Sequence, residues 1–288
     1  MRLRLALEEA LAFSAAHPVG HLDDATRRRL LTMLTSAPAG TMVVGDERGA
    51  LRMVATVVDV IDDPSAAAEL VIRGAAPGLP GSVFAGEVIA PARAFARAVG
   101  RCRLNLSRPL CVRDVDEVLE RADFALHHEV FAMRRPDAVV GGPEPELPRG
   151  WRWTPLDDAL VAPTPAALVE IFRDAPTTTL PPLDAFRRGA FSSAPGWHLL
   201  LDGPTLAGLV RLSVERTGGE VRILGRHPRH RGRGLGRLLL DRALRVLAAA
   251  GAHAVSLEVA ATNERALELY RAFGFDVVER TPVYAAVL

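Results

Sequence analysis

The chain has 288 residues, of which 49% are hydrophobic, and its formal net charge at pH 7 is +1. Because this is about twice the usual size of a domain, we expect two domains. The near-neutral charge and an aromatic content of 5% argue against a nucleic-acid-binding surface, and no apolar run approaches the roughly 18 residues of a transmembrane helix. We therefore predict a protein that binds neither nucleic acid nor membrane.

The N-terminal segment and the cysteines indicate where the chain resides. Glu8 and Glu9 interrupt the first apolar run, which predicts an amphipathic helix rather than a signal peptide. The two cysteines, Cys102 and Cys111, are too few for a disulfide framework, and their spacing is typical of neither a zinc site nor a redox motif. We predict a cytoplasmic location.

The first half of the chain is predicted to alternate strands and helices. Hydrophobic alternation predicts strands at Thr41–Gly45, 51–61 and 68–72, with a turn at 47–49 after the first. Apolar residues at three- and four-residue steps predict the two helices that follow. These helices are predicted at 83–99 and Val115–Arg121, and a strand at 129–133 closes the half.

A segment rich in glycine and proline separates the two halves. It runs over 134–150 and contains four prolines and the pair Gly141-Gly142. Such a composition is typical of a connection rather than of a helix or a strand. We place a linker at 137–150, which predicts one domain at 1–136 and a second at 151–288.

The second half repeats the plan of the first. Strands are predicted at 197–201, 206–214 and 221–224, before a long amphipathic helix that ends near Gly251. The elements predicted after this helix are a strand at 254–259, a helix capped by Asn263 and stopped by Gly274, and closing strands at 275–278 and 283–288. An internal duplication explains the repeated order.

A glycine-rich segment lies between the strand at 221–224 and the long helix. Backbone N–H groups at a helix N-terminus lack intrahelical acceptors, and glycines allow phosphate oxygens to approach them closely. A P-loop is excluded because the chain contains no lysine, and the glycine order differs from the dinucleotide fingerprint. Taken alone, the segment is equally compatible with an ordinary strand-to-helix turn. Its sequence is Arg231-Gly232-Arg233-Gly234-Leu235-Gly236.

Basic residues are concentrated around this turn, and two other ligand classes need to be weighed. A basic cluster also suits nucleic acid, but the neutral overall charge and the position at a helix N-terminus favour a cofactor phosphate. His227 and His230 are three residues apart, yet no third ligand follows at a suitable spacing, so we predict no metal site.

Two motifs in order resemble the GNAT family of N-acetyltransferases. The first is R-x-x-G-x-G at 231–236, and the second is N-x-x-A-x-x-L-Y-x-x-x-G-F at 263–275. The resemblance implies an α/β fold with a mixed sheet, in two tandem domains, and acetyl-CoA as co-substrate. It also implies a set of residues that contact acetyl-CoA: Leu224, Gly225, Arg226, Arg231, Gly232, Arg233, Gly234, Leu235, Gly236, Arg237, Asn263 and Ala266.

The resemblance further implies two catalytic residues. Glu220 lies eleven residues before Arg231, at the spacing where several members of the family place a general base. We expect it to share a strand face with Arg222, Leu224 and Arg226. The alternative is a solvated carboxylate at the end of a hairpin turn. Tyr270 matches the tyrosine that protonates the leaving thiolate, although its spacing also suits a core aromatic.

The first half is predicted to have lost its coenzyme turn. At 74–81 the sequence is GAAPGLPG, which has no arginine and contains prolines that remove N–H donors. We interpret residues 1–136 as a degenerate, structural or substrate-shaping domain, with coenzyme binding through other residues as the alternative. This tandem layout resembles the mycothiol synthase family.

The acceptor is left open by the sequence. We predict transfer of an acetyl group to a primary amine, with a small molecule favoured. A cysteinyl sugar, a protein amine and a non-catalytic acyl-CoA sensor are the alternatives. Acidic residues such as Asp157 suit a cationic acceptor but equally suit helix caps. Either a monomer or a homodimer is compatible with the chain.

Overall fold

The computed structural model describes residues 40–45, 51–58, 67–173, 186–187, 191, 194–215 and 218–288. These residues form two compact units of mixed α/β structure. One unit contains the described residues up to His128 together with Thr281–Leu288, and the other spans Glu129–Arg280. The predicted amphipathic N-terminal helix and the turn at 47–49 lie outside the described residues.

The first unit is built on a mixed sheet. Its elements, in chain order, are β1 (Thr41–Gly45), β2 (Leu51–Val58), β3 (Ala68–Ala75), α1 (Gly81–Phe84), a π-helical turn (Ala85–Ile89), α2 (Ala90–Ala98), β4 (Arg103–Ser107), α3 (Val115–Arg121) and the start of β5 (Ala125–Arg135). The first three strands pair antiparallel, whereas β3 and β4 pair in parallel from Ala68↔Leu104 to Leu70↔Leu106. Strand β4, with its alternating RLNLS sequence, was not predicted.

One face of the α1–α2 segment packs on this sheet. Phe84, Val88 and Ala92 recur at four-residue steps and are fully buried. They join the core cluster that contains Met53 and Leu70 of the sheet. The apolar periodicity that predicted the helix therefore also identifies the face that it buries.

The second unit contains the remaining elements. These are the rest of β5, β6 (Trp151–Pro155), α4 (Asp158–Val161), α5 (Thr164–Phe172), β7 (Pro195–Asp202), β8 (Thr205–Glu215), β9 (Gly218–Arg226), a 3₁₀ turn (Pro228–His230), α6 (Leu235–Ala249), β10 (Ala254–Ala260), α7 (Glu264–Ala272) and the start of β11 (Asp276–Val287). The strand order is β5-β10-β9-β8-β7-β6, and only β9 and β10 pair in parallel.

Helix α6 covers one face of the second sheet. Its buried residues recur at three- and four-residue steps and include Leu239, Ala243 and Leu247. They pack in one cluster with Val221 and Leu257 of the two parallel strands. Each fully buried leucine contributes about 1.5–3 kcal/mol of transfer free energy, so this contact holds the helix N-terminus in a fixed place.

Two strands link the sequence halves in an unexpected way. Residues of β5 pair with β10, as in Leu257↔Met133, so a segment of the first half belongs to the second unit. The end of β11 pairs with β4, as in Val283↔Ser107, and belongs to the first unit. The prediction of separate strands at 275–278 and 283–288 was wrong because β11 continues through Pro282.

The segment predicted as a linker is packed on the second unit. Arg245 of α6 donates hydrogen bonds to the carbonyl oxygens of Gly142 and Pro143, at 3.1 and 3.0 Å. Arg242 of the same helix forms an ion pair with Glu144 at 2.8 Å. Because these contacts fix residues 142–144 to α6, this part of the predicted linker is packed into the second unit.

Helix α4 begins at a side-chain cap. Asp157 accepts a hydrogen bond from the backbone N–H of Leu160 at 2.9 Å, so the capping alternative is confirmed for this carboxylate. Among the helices of the described ranges, none has the length and apolar character needed to cross a membrane.

Candidate functional site

Two parallel strands separate in the middle of the second sheet. The pairing of β9 with β10 runs from Gly218↔Ala254 to Val221↔Leu257 and stops there, although both strands continue. A register shift between β8 and β9 makes Arg222 an extra residue at this point. Since a bulge bends its strand, the shift explains why β9 turns away from β10. An opening remains between the two strands beyond Val221.

The bulge also changes which side chains share a face. Glu220 and Arg222 lie together, as predicted, because the guanidinium of Arg222 contacts the carboxylate of Glu220. Leu224 instead packs against the core cluster that contains α6. The expectation that Leu224 continues the face of Glu220 was therefore wrong, because the extra residue reverses the alternation after Arg222.

The glycine-rich segment forms the turn between β9 and α6. Gly232 and Gly234 have φ angles of +78° and +73°, in the left-handed region, and Gly234 is the N-cap of α6. The first intrahelical bond runs from the N–H of Arg237 to the carbonyl of Gly234, at 3.0 Å. Within the described residues, no acceptor contacts the N–H groups of residues 232–236. These groups form an anion-binding turn at the N-terminus of a 15-residue helix.

Several arginine side chains lie near the glycine-rich turn. The guanidinium of Arg226 has a buried Nη1 with no hydrogen-bond partner among the described residues. Burial lowers the pKa of Arg226, and the positive charges of Arg231 and Arg265 lower it further. A buried guanidinium nitrogen that lacks an acceptor and lies near like charges is stabilised by an anion. The structure thus brings together the end of β9, the glycine turn and the start of α7.

Helix α7 carries the second motif. Asn263 is its N-cap, and its side-chain oxygen accepts the N–H of Ala266 at 3.3 Å, which confirms the predicted cap. Tyr270 is 7% exposed, and its ring centroid lies 6.0 Å from that of Phe275. Burial raises the pKa of Tyr270 to about 12, so its hydroxyl stays protonated near neutral pH.

Glu220 belongs to a small polar network. Arg222 Nη2 lies 2.8 Å from Glu220 Oε2, and Arg222 Nε donates to Ser213 Oγ at 2.9 Å. The Ser213 hydroxyl in turn donates to Glu220 Oε2 at 3.4 Å. With 31% of its side chain exposed, Glu220 is half-buried rather than a fully solvated hairpin residue.

Helix α5 was missed by the sequence analysis and lies over the end of β9. A Cβ at Gly225 would lie 2.5 Å from Ile171 Cγ2 and 2.8 Å from Phe172 Cζ. Only glycine therefore permits this approach. His227 Nε2 lies 3.6 Å from Glu170 Oε2 of the same helix. Helix α5 thus covers the backbone next to the strand opening.

Arg237 has a structural contact in addition to its predicted one. Its guanidinium lies 5.4 Å from the ring centroid of Phe273 and forms a cation–π contact. This contact ties the first turn of α6 to the end of α7. Arg237 therefore helps to hold the two motif-bearing helices together.

Glu258 is a further candidate that the sequence analysis noted only as part of a strand. It follows Leu257, the last residue of β10 that pairs with β9. Its side chain is partly open to solvent, but desolvation by the surrounding protein raises the pKa of its carboxyl, the negative charge of Glu220 raises it further, and Arg222 lowers it. In the sequence, the only indication of Glu258 as a candidate was a charged residue between the two apolar residues Leu257 and Val259, which are buried.

In the corresponding turn of the first unit, the backbone N–H groups already donate hydrogen bonds to the chain itself. The N–H groups of Gly78 and Leu79 both donate to the carbonyl of Cys111, at 2.9 and 3.0 Å. A Cβ at Gly81 would lie 2.3 Å from Val118 Cγ2, so α3 fills the space at the start of α1. Pro80, the N-cap of α1, has no N–H at all. The donors that an anion needs are therefore already used.

We predict one coenzyme site per chain, in the second unit. Titration of the protein with coenzyme A in a calorimeter should give a stoichiometry of one, because the donors of the first turn are bound to Cys111. A stoichiometry of two would contradict the prediction. Limited proteolysis in the presence of coenzyme A should accordingly protect the second unit.

The mixed α/β fold, the strand opening and the glycine turn are the features expected of an acetyltransferase domain. Residues 165–275 match the profile of the Acetyltransferase (GNAT) family, so the chain contains a domain of this family. The predicted resemblance and the predicted fold class are both confirmed.

Relatives of known name cover only part of the chain. It is 46% identical over 77 residues to the mycothiol acetyltransferase of Beutenbergia cavernae, which is 27% of this chain and 26% of that protein. It is 30% identical over 166 residues to the mycothiol acetyltransferase of Streptomyces coelicolor, which is 56% of this chain and 54% of that protein. The aligned part therefore spans from about a quarter to half of these relatives.

Solved structures match nearly the whole chain. A GCN5-related N-acetyltransferase from Sphaerobacter thermophilus superposes with a TM-score of 0.64 at 18% identity, covering 99% of this chain and 90% of that one. A tandem GNAT protein from the clavulanic acid biosynthesis pathway superposes with a TM-score of 0.61 at 15% identity, covering 99% and 94%. At these identities the likeness concerns the fold, and it supports the two-domain architecture.

Proposed function

We propose that the protein is an acetyl-CoA-dependent N-acetyltransferase that acetylates the primary amine of a small molecule. One observation carries the proposal: five consecutive N–H groups and Nη1 of Arg226, all without an acceptor among the described residues, lie at the end of β9 beside an opening between two parallel strands. The turn supplies donors for a diphosphate, and the opening admits an extended arm. A phosphate-linked, extended acyl carrier suits both features.

Each part of acetyl-CoA has candidate partners in the second unit. Residues 231–237 would hold the diphosphate through backbone N–H groups, with Arg226 and Arg231 adding charge. The unpaired edge of β9 at Leu224, Gly225 and Arg226 would pair with the pantetheine arm as an added strand does. Asn263 and Ala266, at the start of α7, would contact the same arm from the opposite side.

The proposed transfer is a direct attack in a ternary complex. The amine nitrogen bonds to the thioester carbonyl carbon, and a main-chain N–H near 224–226 stabilises the oxyanion. Glu220, directly or through a water, takes the proton that nitrogen loses on attack. The C–S bond then breaks, and Tyr270 donates a proton to the thiolate. Exchange with solvent restores both side chains, so one proton moves from nitrogen to sulfur.

A cysteinyl-sugar amine is the specific acceptor that the comparisons favour. Both relatives described above are mycothiol acetyltransferases. This acceptor class therefore belongs in any substrate screen.

The proposal is tested by measuring thiol release from acetyl-CoA. The purified chain is incubated with acetyl-CoA and with cysteinyl-glucosamine, glucosamine, spermidine and a lysine-containing peptide in turn. We expect amine-dependent release of coenzyme A with a small-molecule amine. Release with the peptide alone would indicate a protein acetyltransferase. Tight binding of acetyl-CoA without release for any amine would contradict the proposal and favour a non-catalytic sensor.

A further inference from the structure

The end of strand β9 presents one backbone edge to the strand opening. The N–H of His227 donates to the carbonyl of Ala207, which follows the start of β8, at 2.9 Å. Because the backbone groups of a strand alternate between its two edges, Gly225 also faces β8, whereas the N–H groups of Leu224 and Arg226 point to the opposite edge. Beyond the last pair with β10, that edge borders the opening. A thioester carbonyl in the opening can therefore accept an N–H from either of these two positions.

Helix α5 packs against the backbone between those two positions. A Cβ at Gly225 would lie 2.5 Å from Ile171 Cγ2 and 2.8 Å from Phe172 Cζ, so both side chains contact this residue directly. Leu224 packs toward α6, and alternation directs Gly225 to the other side of the sheet. This is the side that carries Glu220. Ile171 and Phe172 therefore cover the backbone of β9 on the face of the proposed general base.

Both side chains of α5 keep surface for a ligand. Ile171 and Phe172 are half-buried and lie outside the core cluster around α6, whereas Leu168, about one turn earlier, is only 1% exposed. The carboxylate of Glu170 lies 3.6 Å from Nε2 of His227, so a polar contact also holds α5 at the end of β9. The two apolar side chains thus form a fixed surface that a small apolar group can contact.

The acyl group of the thioester has to fit beneath this surface. When the thioester carbonyl accepts an N–H of Leu224 or Arg226 at about 2.9 Å, its carbon is one bond further away and lies beside Gly225. The acyl chain begins at that carbon. An acetyl group ends after one methyl, which makes van der Waals contact with side chains about 4 Å away. A longer chain needs space that Ile171 and Phe172 occupy.

We propose that Ile171 and Phe172 form the wall of the acyl pocket and restrict the donor to acetyl-CoA. Their apolar side chains contact the acetyl methyl, whereas the extra methylenes of propionyl-CoA or butyryl-CoA would overlap them. The two residues determine specificity and take no part in proton transfer. This inference rests on the proposed acetyl transfer, which places the thioester carbonyl at the exposed edge of β9.

The test measures kcat/KM for acetyl-, propionyl- and butyryl-CoA with one accepted amine. In the wild type, each added methylene should lower kcat/KM about tenfold or more, because a pocket of fixed size discriminates to that extent. Phe172→Ala and Ile171→Ala should each raise the ratio of kcat/KM for propionyl-CoA to that for acetyl-CoA about tenfold. Equal use of all three thioesters by the wild type, or unchanged ratios in both variants, would overturn the proposal.

Val169→Ala is the matched control, because Val169 lies on the same helix and is 41% exposed. It should leave the ratio unchanged. If an alanine variant does not fold, Phe172→Leu and Ile171→Val remove fewer atoms and should shift the ratio in the same direction. A general loss of stability lowers turnover with all three thioesters alike, so a changed ratio reports on the acyl pocket.

Calorimetry measures the same pocket without an acceptor. Butyryl-CoA should bind the wild type about tenfold more weakly than acetyl-CoA, and Phe172→Ala should remove most of this difference. The same difference in the variant would count against the wall. Acetyl transfer by the wild type with unchanged acyl ratios in the variants would refute this inference alone. Discrimination between the thioesters without transfer to any amine would support the acyl pocket and contradict the proposed function.

Discussion

Gly234→Val should lower the affinity for acetyl-CoA at least tenfold while the protein remains folded. Gly234 has a φ of +73°, which a β-branched residue avoids. No heavy atom lies within 4 Å of a Cβ at this position, so valine has space but not the backbone conformation. When φ changes, the N–H groups of the turn move away from the diphosphate. One charge-assisted hydrogen bond contributes about 1.5–3 kcal/mol, which corresponds to a loss of about tenfold or more.

The other end of the same helix offers a matched control. Gly251 follows α6, has a φ of +85° and is equally open around a Cβ. Gly251→Val therefore imposes the same kind of strain, about 1–3 kcal/mol, far from the proposed diphosphate site. Both variants should lose similar thermal stability, but only Gly234→Val should weaken the binding of acetyl-CoA in calorimetry. Equal affinities in the two variants would argue that the turn does not hold the coenzyme.

Local signals predicted the elements that carry this site. The long helix was expected to end near Gly251 and ends at Ala249, and the strand predicted at 254–259 is Ala254–Ala260. Asn263 was identified as a cap from its residue type and position, and it caps α7. Glycine, asparagine and apolar periodicity act over a few residues, so their effects can be read directly from the sequence.

The features that were missed depend on distant contacts. Strand β11 continues through Pro282, and its end pairs with β4, a strand far away in the sequence, which no local pattern records. The bulge at Arg222 arises from the register between β8 and β9. Gly225 was predicted only to contact the coenzyme, yet its lack of a side chain also allows α5 to pack against it. Each of these depends on which segments become neighbours in the fold.

The candidate catalytic residues also combine features that the sequence predicts with features that only the fold determines. Glu220 and Tyr270 were named from motif spacing, and their proposed roles still await a test. Their surroundings came only from the structure: an ion pair for Glu220 and a buried ring for Tyr270. Glu258 lies outside both motifs, and only the structure shows that it follows the point where the pairing of β9 with β10 ends. Sequence identifies residue types, whereas their ionisation depends on the fold.

Tyr270→Phe should reduce kcat about 100-fold while leaving the affinity for acetyl-CoA unchanged, since general acid catalysis contributes about that factor. The ring stays packed in the variant, because phenylalanine retains every apolar contact and the hydroxyl has no hydrogen-bond partner among the described residues. A steady-state assay with an accepted amine, together with calorimetry, separates the two effects. Leu267→Met, a change in the same core cluster, is the control for altered packing and should retain activity. A kcat within a factor of two of the wild type would remove Tyr270 from the mechanism.

The same variant has an effect on stability that only the buried hydroxyl explains. The pKa of Tyr270 is raised from 10.0 to about 12 in the folded protein. The folded state therefore disfavours ionisation, and the associated stability is fully present below pH 10 and is lost as the pH rises through about 12. A shift of this size corresponds to about 3 kcal/mol. Urea unfolding between pH 9 and 12 should show a steeper loss of stability for the wild type than for Tyr270→Phe. Parallel curves would mean that the hydroxyl is not buried, and with it the argument for a protonated donor near neutral pH would fail.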